Sequence, residues 1–211
     1  IALDYCAAGC WQEAVSLWNI AIAEGIVTPM TYYYLGWCLH QGGLSGVKQA
    51  FADAVKACPD YCFPNRLEAI LALQCAMEQN PNDARAPYYL GNLYYDKRQY
   101  DLSMEAWETS ARLDDSFPTV WRNLALAFFN KKNEEAKAIE CMERAFRLDS
   151  TDARILMELD QLYKRVRRSH KERLAFLQQY PDLIKQRDDL ILEEITLLNQ
   201  TGAVSYTHLR A

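Results

Sequence analysis

The sequence repeats one short pattern at a fixed interval, and this constrains the fold more than any single residue does. Gly91 lies three residues before Tyr94, and Ala125, thirty-four positions after Gly91, lies three residues before Phe128. A small and a large residue at this spacing share one face of a helix. Repeats of this length are typical of chains whose units each have an apolar face that only neighbouring units can cover. We therefore predict an array of similar helical units.

The second half of each copy repeats as well. Ser103 is followed four residues later by Trp107, and Ala138 is followed by Met142 at the same interval. The combined pattern resembles the tetratricopeptide repeat, a helix-turn-helix unit of about 34 residues. The resemblance implies an all-α fold: a right-handed α-solenoid of antiparallel helix pairs, truncated at both ends. Small residues would let its helices approach, and large residues would fill the space between them.

Two further copies are less regular. One surrounds Leu35 and Gly36, and the other surrounds Leu159 but has Asp160 where the pattern has a small residue. The resemblance makes residues 1–202 one solenoid domain. Its expected units are 1–28, 29–61, an irregular single helix in 62–83, 84–117, 118–152, 153–187 and a partial unit 188–202. We expect the single helix to bend the array and to interrupt its groove.

Apolar periodicity, together with the Gly, Asn and Pro residues between apolar stretches, predicts eleven helices. They span residues 11–24, 30–41, 45–57, 65–79, 83–96, 100–113, 118–130, 134–148, 152–166, 171–179 and 183–200. The last helix has apolar residues, among them Leu183, Ile184, Leu190 and Ile195, without a partner helix after it. We therefore expect an apolar stripe to stay exposed on this helix.

Both ends of the sequence have the pattern expected of a truncated repeat array. Ile1 falls within the first helix of a unit, by counting back from the next copy of the pattern. At the other end, residues 203–211 break the helical pattern and resemble the translated adapter of a DNA-library preparation. We expect them to be a non-native tail that is excluded from the fold.

Composition favours helices over sheets and disfavours two classes of partner. Half of the residues are hydrophobic, and only 8 Gly and 7 Pro are present, which leaves little room for the turns of a β-sandwich. A net charge of -5 gives no general attraction to nucleic acid or anionic lipid. No stretch approaches the roughly 18 apolar residues of a membrane span. We therefore expect neither a nucleic-acid partner nor a membrane partner.

The cysteines do not form a recognisable metal or disulfide pattern. The pairs Cys6/Cys10 and Cys58/Cys62 share a C-x3-C spacing, but no histidine lies at a useful distance from either pair. Seven scattered cysteines suggest free thiols in a reducing compartment, so a cytoplasmic location is the expectation. We expect no metal and no cofactor.

No motif of an enzyme is present. The sequence has no G-x-S-x-G elbow, no glycine-rich phosphate loop and no H-E-x-x-H pair. The doublets Asp188-Asp189 and Glu193-Glu194 could be catalytic carboxylates, but charges at a helix start and on a solvated face explain them more simply. We therefore expect a protein without catalytic activity.

The resemblance assigns a groove. In tetratricopeptide arrays the first helix of each pair lines the concave face, which selects a set of aromatic and polar residues. These are Tyr33, Tyr34, Trp37, Tyr88, Tyr89, Asn92, Tyr95, Arg122, Asn123 and Arg154. Tyr and Trp side chains offer large contact areas with few rotatable bonds, which suits the binding of an extended peptide or a sugar-like ligand. The alternative is that some of these rings pack between helices.

Three of these groove residues, Asn92, Asn123 and Arg154, occupy positions that grip a peptide's terminal carboxylate in some members of the family. Two further positions of that clamp are Tyr88 and Glu158, where a basic residue would be expected. This departure puts the carboxylate-gripping activity in doubt.

The densest basic run, residues 164–173, has six cations in ten residues when histidine is left out. It could dock an acidic partner segment. The alternative is a helix end whose cations complement the helix dipole.

A more specific resemblance is to the repeat region of large bacterial proteins that also carry a galactose-mutarotase-like β-sandwich region. This resemblance rests on the segments 32–39, 60–68 and 186–190. Two functions follow as hypotheses. The first is a non-catalytic scaffold that binds a protein or peptide segment in its groove. The second is the accessory helical arm of a carbohydrate-active enzyme, which packs on a missing N-terminal β-sandwich region and contributes residues to a shared site, such as Tyr61, Phe63, Asn65 and Arg66.

Overall fold

A computed structural model describes residues 1–59 and 61–202. Within these residues every regular element is helical, which confirms the all-α prediction. The α-helices are α1 (Ala2–Ala7), α2 (Trp11–Ala23), α3 (Pro29–Gln41), α4 (Val47–Lys56), α5 (Glu68–Gln79), α6 (Arg85–Asp96), α7 (Tyr100–Leu113), α8 (Pro118–Ala127), α9 (Glu135–Leu148), α10 (Ala153–Arg165), α11 (His170–Leu177), α12 (Pro181–Ile184) and α13 (Asp188–Thr201). A π-helical turn, Phe128–Lys132, extends α8. The predicted non-native tail, 203–211, lies outside the described residues.

The chain forms two compact bodies. The N-terminal body is Ile1–Asp115 and the C-terminal body is Ser116–Ala211. The first contains α1 to α7, and the described part of the second contains α8 to α13.

Two helix pairs of the N-terminal body pack through the small and large residues of the repeat pattern. Gly36 on α3 lies against the ring of Phe51 on α4, and Gly91 on α6 lies against the ring of Trp107 on α7. A methyl group added at either glycine would overlap the facing aromatic ring. The glycines therefore set how closely each pair can approach, as the repeat pattern predicts.

Helix α5, the expected single helix, packs against both α3 and α6. It therefore takes part in the core of the N-terminal body, where Ala69, Ala72 and Leu73 are buried. The connection before it is different, since Tyr61 and Phe63 are 93% and 75% exposed.

In the C-terminal body, α8 packs against α9, and α10 packs against α9 and α11. Helix α10 begins at Asp152, whose side chain accepts hydrogen bonds from the backbone N–H groups of Arg154 and Ile155. Ser169 and Glu172 form a capping box at the start of α11. These side chains satisfy backbone N–H groups that have no partner inside the helix.

The prediction of one helix over 183–200 is wrong. Residues 185–187 separate α12 from α13, because the chain turns after the short helix that Pro181 begins. This turn lets α12 pack on α10 while α13 packs on α11. Leu183, Ile184 and Leu190 are buried as a result, so the first part of the expected apolar stripe is covered. Ile195 keeps 48% of its surface exposed.

Candidate functional site

The three predicted groove residues of α3 lie in the core. Tyr33, Tyr34 and Trp37 are 0%, 7% and 7% exposed, because α2, α4 and α5 all pack on this helix. Trp37 makes an edge contact with Trp11, and Tyr34 stacks on Trp18. We therefore correct their assignment to a ligand-binding groove: these side chains hold helices together.

Tyr33 also makes a buried polar contact that the sequence does not indicate. Its hydroxyl donates to Asp83 Oδ2 at 2.8 Å, while Asp83 Oδ1 accepts from the backbone N–H groups of Arg85 and Ala86 at 2.8 and 3.1 Å. Burial raises the pKa of Tyr33 well above its ordinary value, and the adjacent Asp83 raises it further. The Asp83 carboxylate thus links α3 to the first turn of α6.

The four predicted residues of α6 divide into one core residue and three surface residues. Tyr89 is 1% exposed and its ring lies 6.1 Å from that of Tyr33, so its assignment to the groove is also corrected. Helix geometry explains the difference, since adjacent residues lie about 100° apart around the axis. Tyr88, Asn92 and Tyr95 are half-buried, and we call these three residues the α6 surface.

Two of the three residues of the α6 surface contact α7. Asn92 Oδ1 accepts a hydrogen bond of 3.0 Å from Trp107 Nε1, and the ring of Tyr95 packs on Tyr100 and Trp107. These contacts restrict the side chains of Asn92 and Tyr95.

The predicted residues of α8 and α10 come together in the C-terminal body. Arg122, Asn123, Arg154 and Glu158 form what we call the arginine cluster. Arg122 donates through Nε and Nη2 to the two carboxylate oxygens of Glu158, each at 2.5 Å. Arg154 Nε donates to Glu158 Oε1 at 3.2 Å, and Arg122 Nη1 reaches Asn123 Oδ1 at 3.5 Å.

The arginine cluster and the adjacent Asp152 carboxylate together have two positive and two negative charges. Two guanidinium groups share the single carboxylate of Glu158, and the nearby Asp152 carboxylate is engaged at the N-terminus of α10. The side chains of Arg122 and Glu158 are 16% and 14% exposed, whereas that of Arg154 is 60% exposed. Glu158 therefore orients both arginines, and Arg154 presents the accessible charge.

Most cations of the basic run have partners inside the C-terminal body. Lys164 donates to Glu193 at 2.9 Å, and Arg168 lies over the ring of Tyr163. Arg173 is buried and donates to Asp160 and to Glu193. These contacts support the structural interpretation of the run and give Glu193, one of the doublet carboxylates, a structural partner.

Within residues 1–59 and 61–202, no three His, Cys, Asp or Glu side chains are grouped so that they could hold a metal ion. Cys6 instead lies beside Cys38, with the two Sγ atoms 3.2 Å apart, a contact that the C-x3-C spacing does not suggest. None of the helices in the described part of the chain is long and apolar enough to cross a membrane.

Comparison with known proteins identifies the repeat. Residues 89–153, which run from α6 into α10, match the model of the tetratricopeptide repeat family. YrrB, a tetratricopeptide protein with an unusual peptide-binding site, is similar in structure, with a TM-score of 0.53 at 15% identity over 88% of this chain and 84% of that protein. MamA 41-end from Desulfovibrio magneticus RS-1 gives a TM-score of 0.50 at 20% identity, over 89% of this chain and 93% of that chain.

A thermophilic tetratricopeptide protein of Thermus thermophilus also gives a TM-score of 0.50, at 16% identity over 93% of this chain and 95% of that protein. At these identities the likeness concerns the fold. The chain therefore has the fold of a tetratricopeptide-type α-solenoid of helix pairs, and its residues 89–153 match the repeat family.

Proposed function

We propose that this protein is a non-catalytic interaction scaffold that binds an extended peptide segment of a partner protein through the first helices of its pairs. The observation that carries the proposal is the arginine cluster, in which Arg154 presents a largely exposed guanidinium next to Arg122 and Asn123. A guanidinium forms charge-assisted hydrogen bonds with a carboxylate, so an acidic side chain or a terminal carboxylate of the peptide is the expected anchor.

The α6 surface supports the same function in the N-terminal body. Tyr88 and Tyr95 supply aromatic contact area, and Asn92 is already oriented by Trp107. Large aromatic side chains with fixed orientation are the kind of residue that dominates binding energy in protein interfaces. The peptide-binding site named for the structurally similar YrrB is consistent with such a role on this fold.

A library of peptides with free carboxyl ends, screened against the purified chain, tests the proposal. We expect enriched peptides to carry an acidic residue or to need their free terminal carboxylate, and binding to weaken as ionic strength rises. Replacing Arg154 by Ala should weaken the binding of these peptides by roughly 10-fold, equivalent to about 1.4 kcal/mol.

Arg147 provides the matched control. Its side chain is 64% exposed and pairs with Glu143 one helical turn away, much as Arg154 is 60% exposed and pairs with Glu158. Arg147→Ala should leave peptide binding unchanged. Equal affinities for the wild type and Arg154→Ala, or no enrichment of acidic peptides, would contradict the proposal.

A second candidate function is the helical arm of a carbohydrate-active enzyme. The exposure of Tyr61 and Phe63 favours it, because two large rings in one connection suit packing against another domain. Sequencing the gene upstream of the Ile1 codon tests this candidate. A reading frame for a β-sandwich would support it, whereas further repeat units alone would favour the scaffold.

A further inference from the structure

Two buried thiols from different helices face each other in the N-terminal body. Cys6 on α1 and Cys38 on α3 are 4% and 0% exposed, and their Sγ atoms are 3.2 Å apart, close enough for one thiol to donate to the other. A disulfide has an S–S distance of about 2.05 Å, so the two sulfurs need to approach by roughly 1 Å.

The surroundings keep the pair in the thiol form while the site is closed. Burial raises the pKa of Cys38, and the adjacent Cys6 raises it further, while the nearby indole of Trp18 acts in the opposite direction. Burial also raises the pKa of Cys6. Since the thiolate is the reactive species, both sulfurs react slowly until the site opens.

Helix α1 is the element whose movement would open the site. It packs mainly against one helix, α2. Cys38, in contrast, lies on a thirteen-residue helix that is packed on several sides. Helices with few packing partners open at a lower free-energy cost than the core does. Cys6 is therefore the sulfur that meets a reagent first.

We propose that Cys6 and Cys38 are a redox-sensitive thiol pair, which a small-molecule disulfide converts into a disulfide bond between α1 and α3. The Cys6 thiolate attacks one sulfur of the reagent and releases its first thiolate, which leaves a mixed disulfide on Cys6. The Cys38 thiolate then attacks the Cys6 sulfur and releases the second. Both cysteines are oxidised, the reagent is reduced to two thiols, and these take up the two protons that the cysteines lose.

The bond would fasten α1 to the helix that contains Tyr33, Tyr34 and Trp37. It closes a loop of 33 residues, counted from Cys6 to Cys38. Closing such a loop restricts the unfolded chain more than the folded one, so the oxidised protein should melt about 5 to 10 °C higher. A dithiol reductant should reverse the effect.

The test uses the full chain, incubated under native conditions with oxidised glutathione and then digested without reduction. We expect mass spectrometry to find the peptide that contains Cys6 linked to the peptide that contains Cys38. Cys58 is exposed and serves as the internal control, because it should carry a glutathione adduct under the same conditions.

Substitutions separate this pair from the C-x3-C pairs. Cys6→Ser and Cys38→Ser should each abolish the link and the rise in melting temperature, whereas Cys10→Ser and Cys58→Ser should keep both. If Cys58 is modified and the wild type still shows no Cys6–Cys38 link, the proposal is wrong. A link from Cys6 to any other cysteine would overturn it as well. The wild-type digest decides the matter even if a variant does not fold.

Discussion

Asp160 and Arg173 form an ion pair inside the C-terminal body, with side chains that are only 1% and 2% exposed. Arg173 Nε donates to Asp160 Oδ1 at 3.0 Å, and Nη2 donates to Oδ2 at 2.5 Å. Glu193 accepts from the same Nη2 group at 2.7 Å. The pair joins α10 to α11, and Glu193 extends the link to α13.

Removing one member of this pair should be costly. We expect Arg173→Met to lower the free energy of unfolding by about 3–5 kcal/mol, because the Asp160 carboxylate would stay buried without its counter-charge. Urea denaturation followed by circular dichroism measures the change.

The double variant Asp160→Leu/Arg173→Met is the control for charge. It removes both buried ions, so it should cost much less than Arg173→Met alone. A double variant that is as unstable as the single one would show that packing volume, and not the unpaired carboxylate, causes the loss.

The repeat pattern predicts the fold well because it records local packing. Gly91 and Trp107 lie sixteen residues apart within one helix pair, and their contact follows from the spacing alone. The Asp160–Arg173 pair does not follow from it. In the sequence, Asp160 is a departure from the repeat pattern and Arg173 is one of several cations in a basic run, so nothing links the two residues. Only the packing of α11 on α10 brings them together.

The candidate site is harder to predict than the fold because neighbouring residues can have opposite surroundings. Tyr88 and Tyr89 are chemically alike, yet Tyr88 is half-buried and Tyr89 lies in the core. The ring of Tyr89 faces that of Tyr33 on α3, and the repeat pattern does not specify this contact between helices of different pairs. The pairing of Arg122 with Glu158 likewise depends on how α10 lies against its neighbours.

Gly91→Ala tests the close approach of α6 and α7. In an exposed helix this substitution stabilises by about 1 kcal/mol. Here the added methyl group would overlap the Trp107 ring, so we expect destabilisation by about 1–3 kcal/mol. Thermal unfolding shows whether the substitution raises or lowers stability. The control compares Gly91→Ala/Trp107→Leu with Trp107→Leu. In this background the alanine should cost less stability, because the ring that its methyl group would overlap is gone. A rise in stability on Gly91→Ala alone would rule out the tight contact.

The two buried tyrosines should respond differently to loss of the hydroxyl group. Tyr33→Phe removes the donor of a 2.8 Å hydrogen bond to the buried Asp83, so we expect a loss of about 1–3 kcal/mol in unfolding free energy. The Tyr89 hydroxyl is buried, and within the described residues it has no hydrogen-bond partner of ordinary strength; the weakly polar thiol of Cys62 lies near it. Tyr89→Phe should therefore be neutral or stabilising. The two variants remove the same atom from the same core, and equal losses would mean that the Tyr33–Asp83 bond contributes nothing specific.

The ion-paired Glu193 should make stability depend on pH in acid. Burial alone would raise the pKa of Glu193, but hydrogen bonds from Lys164 and Arg173 outweigh it, and the pKa lies below the ordinary value of 4.5. The folded state therefore binds a proton less readily than the unfolded state does. Its contribution to stability is complete above pH 4.5 and is lost as the pH falls through the folded-state pKa.

Glu193→Gln removes the titrating group. The unfolding free energy of this variant should lie below that of the wild type at pH 7, and the two values should converge as the pH falls through the folded-state pKa of Glu193. Urea denaturation at a series of pH values measures the convergence. Glu194→Gln, which removes the neighbouring carboxylate on α13, controls for the general change in charge. If the gap between the wild type and Glu193→Gln stays constant over this range, the carboxylate does not titrate within its ion pairs, and the link from α11 to α13 rests on apolar packing instead.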